Sequence, residues 1–559
     1  MQAAICSVNS KYVHSSPAPW CLLAGVRAFS AVRHEINIVE GTVNEPVGVL
    51  MERLCKGSAQ VFGFCCYIWN IAVVRRLVKG LRALKPQCAI VLGGPEVSFC
   101  AEQTLRELPE ADYVLAGEGE RPFALLLDAL QSGRNLQSIP GLCRRENGTI
   151  AFSGIYRPKE LPPMPDTQAY AAHLNGRIAY LETSRGCPFS CAFCLSGRCD
   201  PVRFFSVDYA KQELLRMANS GAQTVKLIDR TFNCNNDRTK ELIRFLIDQR
   251  GKGFPENVCF HFEVGADLFD EESLLLLERA PAGLFQIEAG LQSFCPETLR
   301  AVSRRTDLLR LKANLSRLIR CRRLHVHIDL IAGLPYEGLE RFGQSFDEAY
   351  ALHADQLQLG FLKLIYGSRL RDQAQEFGFE WNPEPPYEVT ATRWLTAGEL
   401  RLLHDAEDAL ERLSNSGRFC FTVCYLLKAT GMRPFELFCR FGKESAPVSV
   451  GISLDAYTEM LWNWAVCQPG VEKEKLRDVL VCDRLASIPG GKLPALLKRR
   501  DSRLAACAAA VRDQLGLEQE RKGAALLYGY GERLVLADEN CRNPINRRFR
   551  LVWKDVSGI

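Results

Sequence analysis

Three cysteine thiols at short spacing are the residues of this sequence best suited to metal chemistry. Cys187, Cys191 and Cys194 fall within the segment Arg185–Cys194, in the pattern Cys-x3-Cys-x2-Cys. One compact loop can bring three thiolates around a [4Fe–4S] cube. No fourth cysteine stands at a matching spacing, so one iron would stay open to another ligand, as the open position of a catalytic zinc does. The alternative is a zinc site or three reduced cysteines, but the predicted strand before the loop favours the cluster.

Strand and helix patterns alternate around this loop, over residues 178–366. Helical patterns such as Ala210–Ala218 and Lys240–Gln249 fill the gaps between apolar strand candidates. Successive units of this kind predict a partial (β/α)6 barrel, whose active site belongs at the carboxyl ends of its strands. The strand candidates are Ile178–Glu182, Thr224–Ile228, Cys259–Val264, Leu284–Ala289, His325–Ile331 and Gln356–Leu364.

Residues 1–135 show the same alternation and predict a separate α/β domain with a doubly wound parallel sheet. Amphipathic helical patterns such as Ile71–Leu84 and Arg121–Gln131 separate the strands. Ligands bind such sheets beyond the carboxyl ends of the strands, where this sequence is rich in glycine and small polar residues that let a large ligand approach. The strands are Ala3–Val8, Glu35–Val39, Val61–Cys65, Ala89–Leu92 and Tyr113–Ala116, and the loops are Asn9–Ser16, Tyr67–Asn70, Gly93–Ser98 and Gly117–Glu120.

The remaining chain divides into a connector and a C-terminal domain. In residues 136–177, Asn147-Gly148 predicts a hairpin, and the proline-rich stretch from Pro158 to Pro165 prevents regular structure. Residues 367–559 are predicted to be mainly helical and carry no recognisable catalytic motif. Their clearest patterns are helices at Ala397–Leu413 and Leu454–Val466 and a late extended stretch at Ala524–Ala537.

Other cysteines are weaker candidates for metal binding. Cys420 and Cys424 lie four apart on an apolar helical stretch, with Cys439 further on. Such a pair could ligate a second metal, but no second Cys-x2-Cys occurs, and small buried cysteines pack as apolar residues. We therefore expect these side chains in the core. Cys199 is close to the cluster loop, but nothing marks it as a ligand.

The composition limits the class of protein. A chain of 559 residues exceeds one hydrophobic core and predicts about three to four domains. The net charge of +5 gives no indication of a nucleic-acid partner. The 23 cysteines are scattered through apolar segments rather than spaced as a disulfide framework, which favours a reducing cytosol. Neither a signal-peptide pattern nor a run of about 18 apolar residues for a membrane helix is found, so we expect a cytoplasmic protein without a membrane partner.

The cysteine pattern, with Phe193 as the aromatic residue before the last cysteine, resembles the signature of the radical SAM superfamily. The resemblance implies that Cys187, Cys191 and Cys194 hold a [4Fe–4S] cluster whose open iron chelates S-adenosylmethionine (SAM). An electron from the cluster would cleave SAM and yield a 5′-deoxyadenosyl radical that abstracts a hydrogen atom. The resemblance also implies an electron donor such as flavodoxin or ferredoxin.

Polar residues at the ends of successive predicted strands resemble the SAM-binding positions of that superfamily. The resemblance assigns Asp229 to the methionine amino group, although the usual Gly-Gly-Glu form is absent, and Arg304 to the methionine carboxylate. Each residue could instead be a polar strand cap, but their order along the chain favours SAM binding. The other assignments are Glu263 near the ligand, Glu288 and Gln292 in a fourth-strand motif with Gln292 at the ribose, Asp329 at the ribose, and Gly333-Leu334-Pro335 beside the adenine.

The N-terminal loops resemble those of the B12-binding domain in cobalamin-dependent radical SAM enzymes, in a subgroup with a C-terminal domain of undefined function. The Asp-x-His-x-x-Gly motif that supplies a lower axial histidine in B12 mutases is absent, and His14 has no such setting. Cobalamin without a protein histidine is favoured over a Rossmann-like domain that binds nothing. The residues that the resemblance places at cobalamin are Tyr67, Asn70, Gly93, Gly94 and Glu96.

Three functions are compatible with these patterns. The first is cobalamin-dependent methyl transfer to an unactivated carbon of an organic substrate that the sequence does not identify. The second is radical rearrangement, cyclisation or oxidation without methyl transfer. The third is RNA modification like that of the methylthiotransferases, which carry a second cysteine cluster site and a small β-barrel tail. The N-terminal cysteines and the mainly helical C-terminal domain lack that arrangement, so the first function is favoured.

The cluster assignment predicts a metal content. Anaerobic reconstitution should give about four irons per chain, with the broad absorption of an iron–sulfur protein. Replacing Cys187, Cys191 or Cys194 by alanine should abolish both the cluster and SAM cleavage, because each thiolate holds one iron. A full cluster in Cys191→Ala would refute the assignment.

Overall fold

The computed structural model describes residues 1–165, 167–198, 201–445, 451–488, 490, 493–516 and 523–556. The chain divides into two compact units. No helix within the described ranges is long and apolar enough to cross a membrane. The first unit comprises Met1–Ile287, Leu299–Asp307 and Phe361–Arg393, and the second comprises Glu288–Thr298, Leu308–Gly360 and Trp394–Ile559.

The N-terminal sheet confirms the predicted doubly wound α/β fold. Its order is β2-β1-β3-β4-β5-β6-β7, and β1 to β5 are parallel. Strands β1 and β3 are almost wholly buried, as expected where helices cover both faces of a parallel sheet. The elements are β1 (Gln2–Asn9), α1 (Ala18–Phe29), β2 (Glu35–Thr42), α2 (Val47–Cys55), β3 (Val61–Cys65), α3 (Ile71–Leu84), β4 (Ala89–Gly93), α4 (Pro95–Ser98), α5 (Ala101–Glu107), β5 (Tyr113–Leu115), α6 (Glu120–Ser132), β6 (Leu142–Glu146) and β7 (Thr149–Phe152).

The predicted hairpin at Asn147-Gly148 is part of this sheet rather than of an irregular connector. Both turn residues have positive φ, 51° and 77°, as a tight hairpin turn requires. Strand β6 pairs antiparallel with β5, and its Leu142 and Cys143 are buried. The sheet therefore extends past residue 135 to Phe152, because the free edge of β5 accepts the hairpin.

The predicted barrel strands form a second sheet of six strands, in the order β15-β14-β13-β12-β11-β8. Strand β11 is parallel to both β8 and β12. A separate two-stranded ribbon, β9 with β10, follows β8 directly. The elements are α7 (Thr167–Ala171), β8 (Ile178–Leu181), β9 (Ser184–Arg185), β10 (Arg203–Phe204), α8 (Val207–Ala218), β11 (Thr224–Leu227), α9 (Asn236–Gln249), β12 (Cys259–Val264), α10 (Glu271–Arg279), β13 (Phe285–Gln292), α11 (Pro296–Ala301), α12 (Leu308–Arg320), β14 (His325–Ala332), α13 (Leu339–Tyr350) and β15 (Gln356–Phe361).

The C-terminal residues are mainly helical, as predicted, and end in a three-stranded antiparallel sheet. The expectation that Cys420 and Cys424 lie in the core is wrong: both are exposed, although Cys439 is buried. The apolar stretch that carries them has buried positions only at Thr422, Val423 and Leu426. The elements are α14 (Arg369–Asp372), α15 (Ala374–Phe377), β16 (Glu380–Trp381), β17 (Val389–Ala391), α16 (Ala397–Leu410), α17 (Cys420–Thr430), α18 (Pro434–Ser445), α19 (Leu454–Ala465), α20 (Lys473–Ser487), α21 (Leu504–Leu515), β18 (Ala524–Leu527), β19 (Arg533–Arg542) and β20 (Phe549–Asp555).

Helices α1 and α6 approach so closely that one position must be glycine. A Cβ atom on Gly25 would lie 2.3 Å from the carbonyl oxygen of Glu120. We expect Gly25→Ala to lower the free energy of unfolding by about 1–3 kcal/mol, the usual cost of overpacking. Gly48→Ala in α2 is the matched control, because no atom lies within 4 Å of its Cβ position. Denaturant titration should leave the control unchanged or slightly stabilised, and equal stability of the two variants would contradict the close approach.

Candidate active site

A single loop brings the three predicted cluster ligands together. Cys191 is buried, whereas Cys187 and Cys194 are half-buried. The backbone N–H of Cys194 donates to the carbonyl of Cys191 at 3.2 Å, so these two residues share one turn. Burial raises the pKa of Cys191, the nearby Arg304 lowers it, and the other two thiols raise it. Cys187 and Cys194 are thus among the groups whose charge would act on the Cys191 thiol.

Arg304 lies directly against this loop. Its Nη1 is 3.8 Å from Cys191 Sγ, and its guanidinium carbon is 5.5 Å from the ring centre of Phe189. The backbone N–H of Ala192 donates to the carbonyl of Val302 at 2.8 Å, which fixes the loop to the segment that carries Arg304. Cys199, noted from its position near the loop, lies outside the described residues.

Asp229, at the end of β11, is bound inside the protein. Its carboxylate accepts from the Thr183 N–H at 2.7 Å, the Thr183 hydroxyl at 2.6 Å and the Ser184 hydroxyl at 2.7 Å. The side chain is only 2% exposed. Burial raises the pKa of this carboxyl, and the hydrogen bonds oppose that shift. Asp229 therefore fixes the turn between β8 and the cluster loop.

A cavity of 780 Å³ lies in the first unit, between the carboxyl ends of the N-terminal strands and those of the first barrel strands. Both sets of predicted loops contribute to its wall, and so do Gly186 and Leu195 of the cluster loop. Lys226 and Glu263 line it as a pair, with 3.7 Å between Nζ and Oε1. The further polar residues of the wall include Asn9, Ser10, His14, Tyr67, Glu118, Glu120, Arg157, Tyr180, Glu182, Arg185, Arg203 and Arg230.

An ion-pair network joins the two sides of this cavity. The Arg185 guanidinium lies 2.8 Å from a Glu118 carboxylate oxygen, 3.0 Å from one of Glu120 and 2.7 Å from one of Glu182. Arg203, which pairs with Arg185 across the β9–β10 ribbon, also forms an ion pair with Glu118. These side chains are about one-fifth exposed or less. The acidic loop after β5 is therefore bound to the start of the cluster loop.

The residues predicted at cobalamin divide into two groups. Tyr67, Gly93 and Gly94 lie in the cavity wall, and the Tyr67 ring stacks on Trp69 with 4.4 Å between ring centres. A Cβ on Gly93 would meet only ordinary contacts, whereas one on Gly94, at φ 118°, would lie 2.4 Å from the carbonyl oxygen of Cys66. The backbone conformation and the contact with Cys66 thus require glycine at position 94. At position 93 a side chain would fit the backbone, so its absence leaves space in the cavity wall.

Asn70 and Glu96 form the second group, which holds loops instead of lining the cavity. The Asn70 amide donates to the carbonyls of Val8 and Cys65 at 3.0 and 2.9 Å, and its oxygen accepts from the Tyr67 N–H at 2.8 Å. Glu96 is buried and accepts a hydrogen bond from the Tyr387 hydroxyl.

His14 lies in the cavity wall and is bonded to the barrel. Its Nδ1 is 2.7 Å from the hydroxyl oxygen of Tyr180. Burial lowers the pKa of His14, and the nearby charges of Lys11, Lys226 and Arg177 lower it further. The neutral imidazole is therefore favoured, in the loop Asn9–Ser16 that the sequence placed at this edge of the sheet.

In the second unit, Glu288, His327 and Asp329 form a cluster. Each offers an oxygen or nitrogen atom within 4.8 Å of the other two, and His327 Nε2 is 2.9 Å from Asp329 Oδ1. Gln292 follows on the same strand as Glu288, at φ 72° and only 9% exposed. Its Oε1 has no hydrogen-bond partner among the described residues, as expected of an acceptor kept for a ligand.

Several site residues had no assigned role in the sequence. Arg185 and the carboxylates of Glu118, Glu120 and Glu182 could not be paired from spacing, because Glu118 is 67 positions away from Arg185. His327 could have been predicted from the sequence, because it stands two residues before Asp329 on β14 and both side chains therefore point to the same face of the sheet.

Comparisons with protein families identify three consecutive regions. Residues 13–127 match the B12 binding domain, and residues 181–349 match the radical SAM superfamily. Residues 375–521 match a protein family of unknown function, DUF4080. The radical SAM match implies SAM and a [4Fe–4S] cluster as cofactors, and the B12-binding match implies cobalamin.

Two of the individual relatives are distant methyltransferases. An uncharacterized methyltransferase of Pyrococcus horikoshii is 24% identical over 380 residues, which cover 65% of this chain and 80% of that protein. The cobalamin-dependent radical SAM methyltransferase TokK of Streptomyces tokunonensis is 26% identical, over 57% of this chain and half of TokK.

A solved structure shares the fold. The radical SAM methyltransferase TsrM of Kitasatospora setae, with cobalamin and a [4Fe–4S] cluster bound, is 17% identical, with a TM-score of 0.56 over 79% of this chain and 99% of TsrM. At this identity the likeness supports the fold alone. It agrees with the α/β architecture. The chain therefore carries a B12-binding domain followed by a radical SAM domain.

Proposed function

We propose that this protein is a cobalamin-dependent radical SAM methyltransferase that acts on an unactivated carbon of an organic substrate. The observation that carries the proposal is the single 780 Å³ cavity, whose wall combines loops of the B12-binding-like sheet, barrel strand ends and the cluster loop. A substrate bound there would lie between the two cofactor regions. In this reaction the cluster supplies the electron that cleaves SAM, and cobalamin carries the methyl group.

Different residues are proposed to hold the cluster, to bind the methionine carboxylate of SAM and to fix the cluster loop. Cys187, Cys191 and Cys194 are proposed to hold three irons of the cluster. Arg304, already beside Cys191, is suited to pair with the methionine carboxylate, because a guanidinium binds a carboxylate through two parallel hydrogen bonds. Asp229 is proposed to act through the turn that it holds, since its carboxylate is bonded to Thr183 and Ser184.

The remaining SAM residues are proposed to bind the ribose and the adenine side. Asp329 and Glu288 offer carboxylates for a ribose diol, with His327 beside Asp329. Gln292 offers an amide whose oxygen has no described partner. Glu263, in the wall of the cavity, is proposed to lie near the ligand.

The N-terminal residues 1–135 are proposed to bind cobalamin. Tyr67 and Gly93 line the cavity, and Gly94 provides the close turn against Cys66. Asn70 and Glu96 are proposed to support those loops instead of touching the ligand. Residues 136–177 follow, and their first part, to Phe152, completes the N-terminal sheet. The barrel 178–366 and the C-terminal domain 367–559 complete the proposed division, with an electron donor such as flavodoxin or ferredoxin as partner.

Arg185 is proposed to position the cluster loop, and its removal should be costly. Arg185→Met would leave the carboxylates of Glu118, Glu120 and Glu182 close together with one guanidinium fewer. Loss of one partner from a fully buried ion pair typically costs about 3–5 kcal/mol. Because Arg185 is about one-fifth exposed, we expect a smaller loss of stability, together with a lower iron content after reconstitution. Arg157→Met is the control, because Arg157 is exposed in the same cavity wall. Equal denaturation midpoints and iron contents for the two variants would refute the positioning role.

Corrinoid binding distinguishes cobalamin-dependent methyl transfer from the two alternative functions. Full-length protein expressed with added cobalamin should carry about one corrinoid per chain. Its spectrum should be that of a base-off species, and His14→Ala should leave it so, because no protein histidine is proposed below the cobalt. With reductant and labelled SAM, the label should reach the bound corrinoid without organic substrate. Protein that takes up no corrinoid yet cleaves SAM would exclude the cobalamin-dependent methyltransferase. It would favour radical rearrangement, cyclisation or oxidation without methyl transfer.

The same experiment locates the corrinoid. Gly93→Leu has room for its Cβ but adds bulk at the cavity wall, so we expect corrinoid affinity at least about tenfold weaker. Gly48→Leu on α2 adds the same side chain at an exposed site and should bind as the unmodified protein does. Unaltered affinity in Gly93→Leu would place the corrinoid elsewhere.

A further inference from the structure

The segment that follows the barrel in the first unit touches the cluster loop. Within α14, the backbone N–H of Leu370 donates to the carbonyl of Ala192 at 3.0 Å. The Arg369 guanidinium donates to the carbonyl of Ser190, and Asp372 forms an ion pair with Arg198. Three consecutive stretches of the loop, before, within and after the Cys191–Cys194 turn, are therefore bonded to one turn of helix.

The same segment also touches residues Gly93–Phe99, which comprise the end of β4 and the short helix α4 and are called the Gly93–Phe99 loop below. The Tyr387 hydroxyl donates to the buried Glu96 carboxylate. Gly367 lies close against Phe99: a Cβ there would be 2.2 Å from an atom of the Phe99 ring. The Tyr366 hydroxyl accepts from Gln103 at 3.3 Å, further along the same side.

Arg371 joins the two ends of the segment. Its guanidinium carbon lies 3.7 Å from the ring centre of Tyr366 and 5.0 Å from that of Tyr387, and it donates to the carbonyl of Leu364. The backbone N–H of Leu364 in turn donates to the carbonyl of Tyr387 at 2.9 Å. Within this one helical turn, the side chains of Arg369 and Asp372 contact the cluster loop. The side chain of Arg371 contacts the aromatic pair.

We propose that residues Tyr366–Tyr387, here called the latch, are a positioning element that fixes the cluster loop relative to the Gly93–Phe99 loop. Displacement of either loop would strain the same short segment, so the two loops move together. This inference rests on the proposed function only in the naming of the ligands: if the Gly93–Phe99 loop holds a corrinoid, the latch sets the distance between the two cofactors. Most of the latch, from Gln375 onward, lies in the region of unknown function.

Hydrogen–deuterium exchange on the full-length, cluster-reconstituted protein without corrinoid tests the latch directly. Tyr387→Phe removes only the hydroxyl that bonds Glu96. If the latch transmits this loss, peptides covering residues 187–198 should exchange about 2- to 12-fold faster, the range for one net hydrogen bond, although no substituted atom touches them. Tyr113→Phe, which removes a hydroxyl from β5 outside the latch, should leave those peptides unchanged.

A second variant keeps the test decisive. Arg371→Met retains the stem of the side chain but removes the cation from the two rings, and it should speed exchange in both the 187–198 and 93–99 peptides. Faster exchange at 93–99 alone, or no change at either place in both variants, would refute the latch. If Tyr387→Phe fails to fold, judged by circular dichroism, Arg371→Met decides. Corrinoid uptake is measured separately, so failure of the proposed function and failure of the latch give different results.

Discussion

The charge of Arg185, which is about four-fifths shielded from water, is the constraint on which the site depends. A guanidinium shielded from water is costly unless carboxylates surround it, and here those carboxylates come from different parts of the chain: Glu182 precedes the cluster loop, and Glu118 and Glu120 follow β5. Separating the acidic loop from the cluster loop would take Glu118 and Glu120 away from Arg185 and leave it only the local pair with Glu182. The cavity between them therefore has a wall whose two sides are joined electrostatically, and Arg203 strengthens the same junction.

The cluster loop is held at three further points, each with a different kind of bond. Asp229 binds the turn before it, and the Ala192 N–H is bonded to Val302 after the first two cysteines. The Arg238 guanidinium donates to the carbonyls of Thr183 and Phe205, on either side of the β9–β10 ribbon. A loop that must present three thiolates to one metal cube gains from such fixation, because ordering a free loop would otherwise oppose cluster binding.

The sequence predicted what local periodicity encodes and missed what distant partners decide. Strands Val61–Cys65 and Cys259–Val264 and helix Ile71–Leu84 have the predicted bounds, because their apolar patterns match how they are buried. The exposure of Cys420 and Cys424 was not predictable in this way, since an apolar helix shows its buried face only once its neighbours are known. Arg185 had no visible role for the same reason. The domain matches confirm the predicted family, while individual ligand contacts remain proposals.

A polar residue at a strand end can either hold a loop or meet a ligand, and the number of its filled hydrogen-bond sites separates the two. A carboxylate offers about four acceptor positions, and Asp229 uses them on the backbone and hydroxyl groups of Thr183 and Ser184. A direct bond to a methionine amino group would have to break one of these in a buried place. Gln292, whose amide oxygen has no partner among the described residues, faces no such cost. The resemblance placed both residues at SAM by their order along the chain, whereas their hydrogen bonds favour a scaffold role for Asp229 and are compatible with a ligand contact for Gln292.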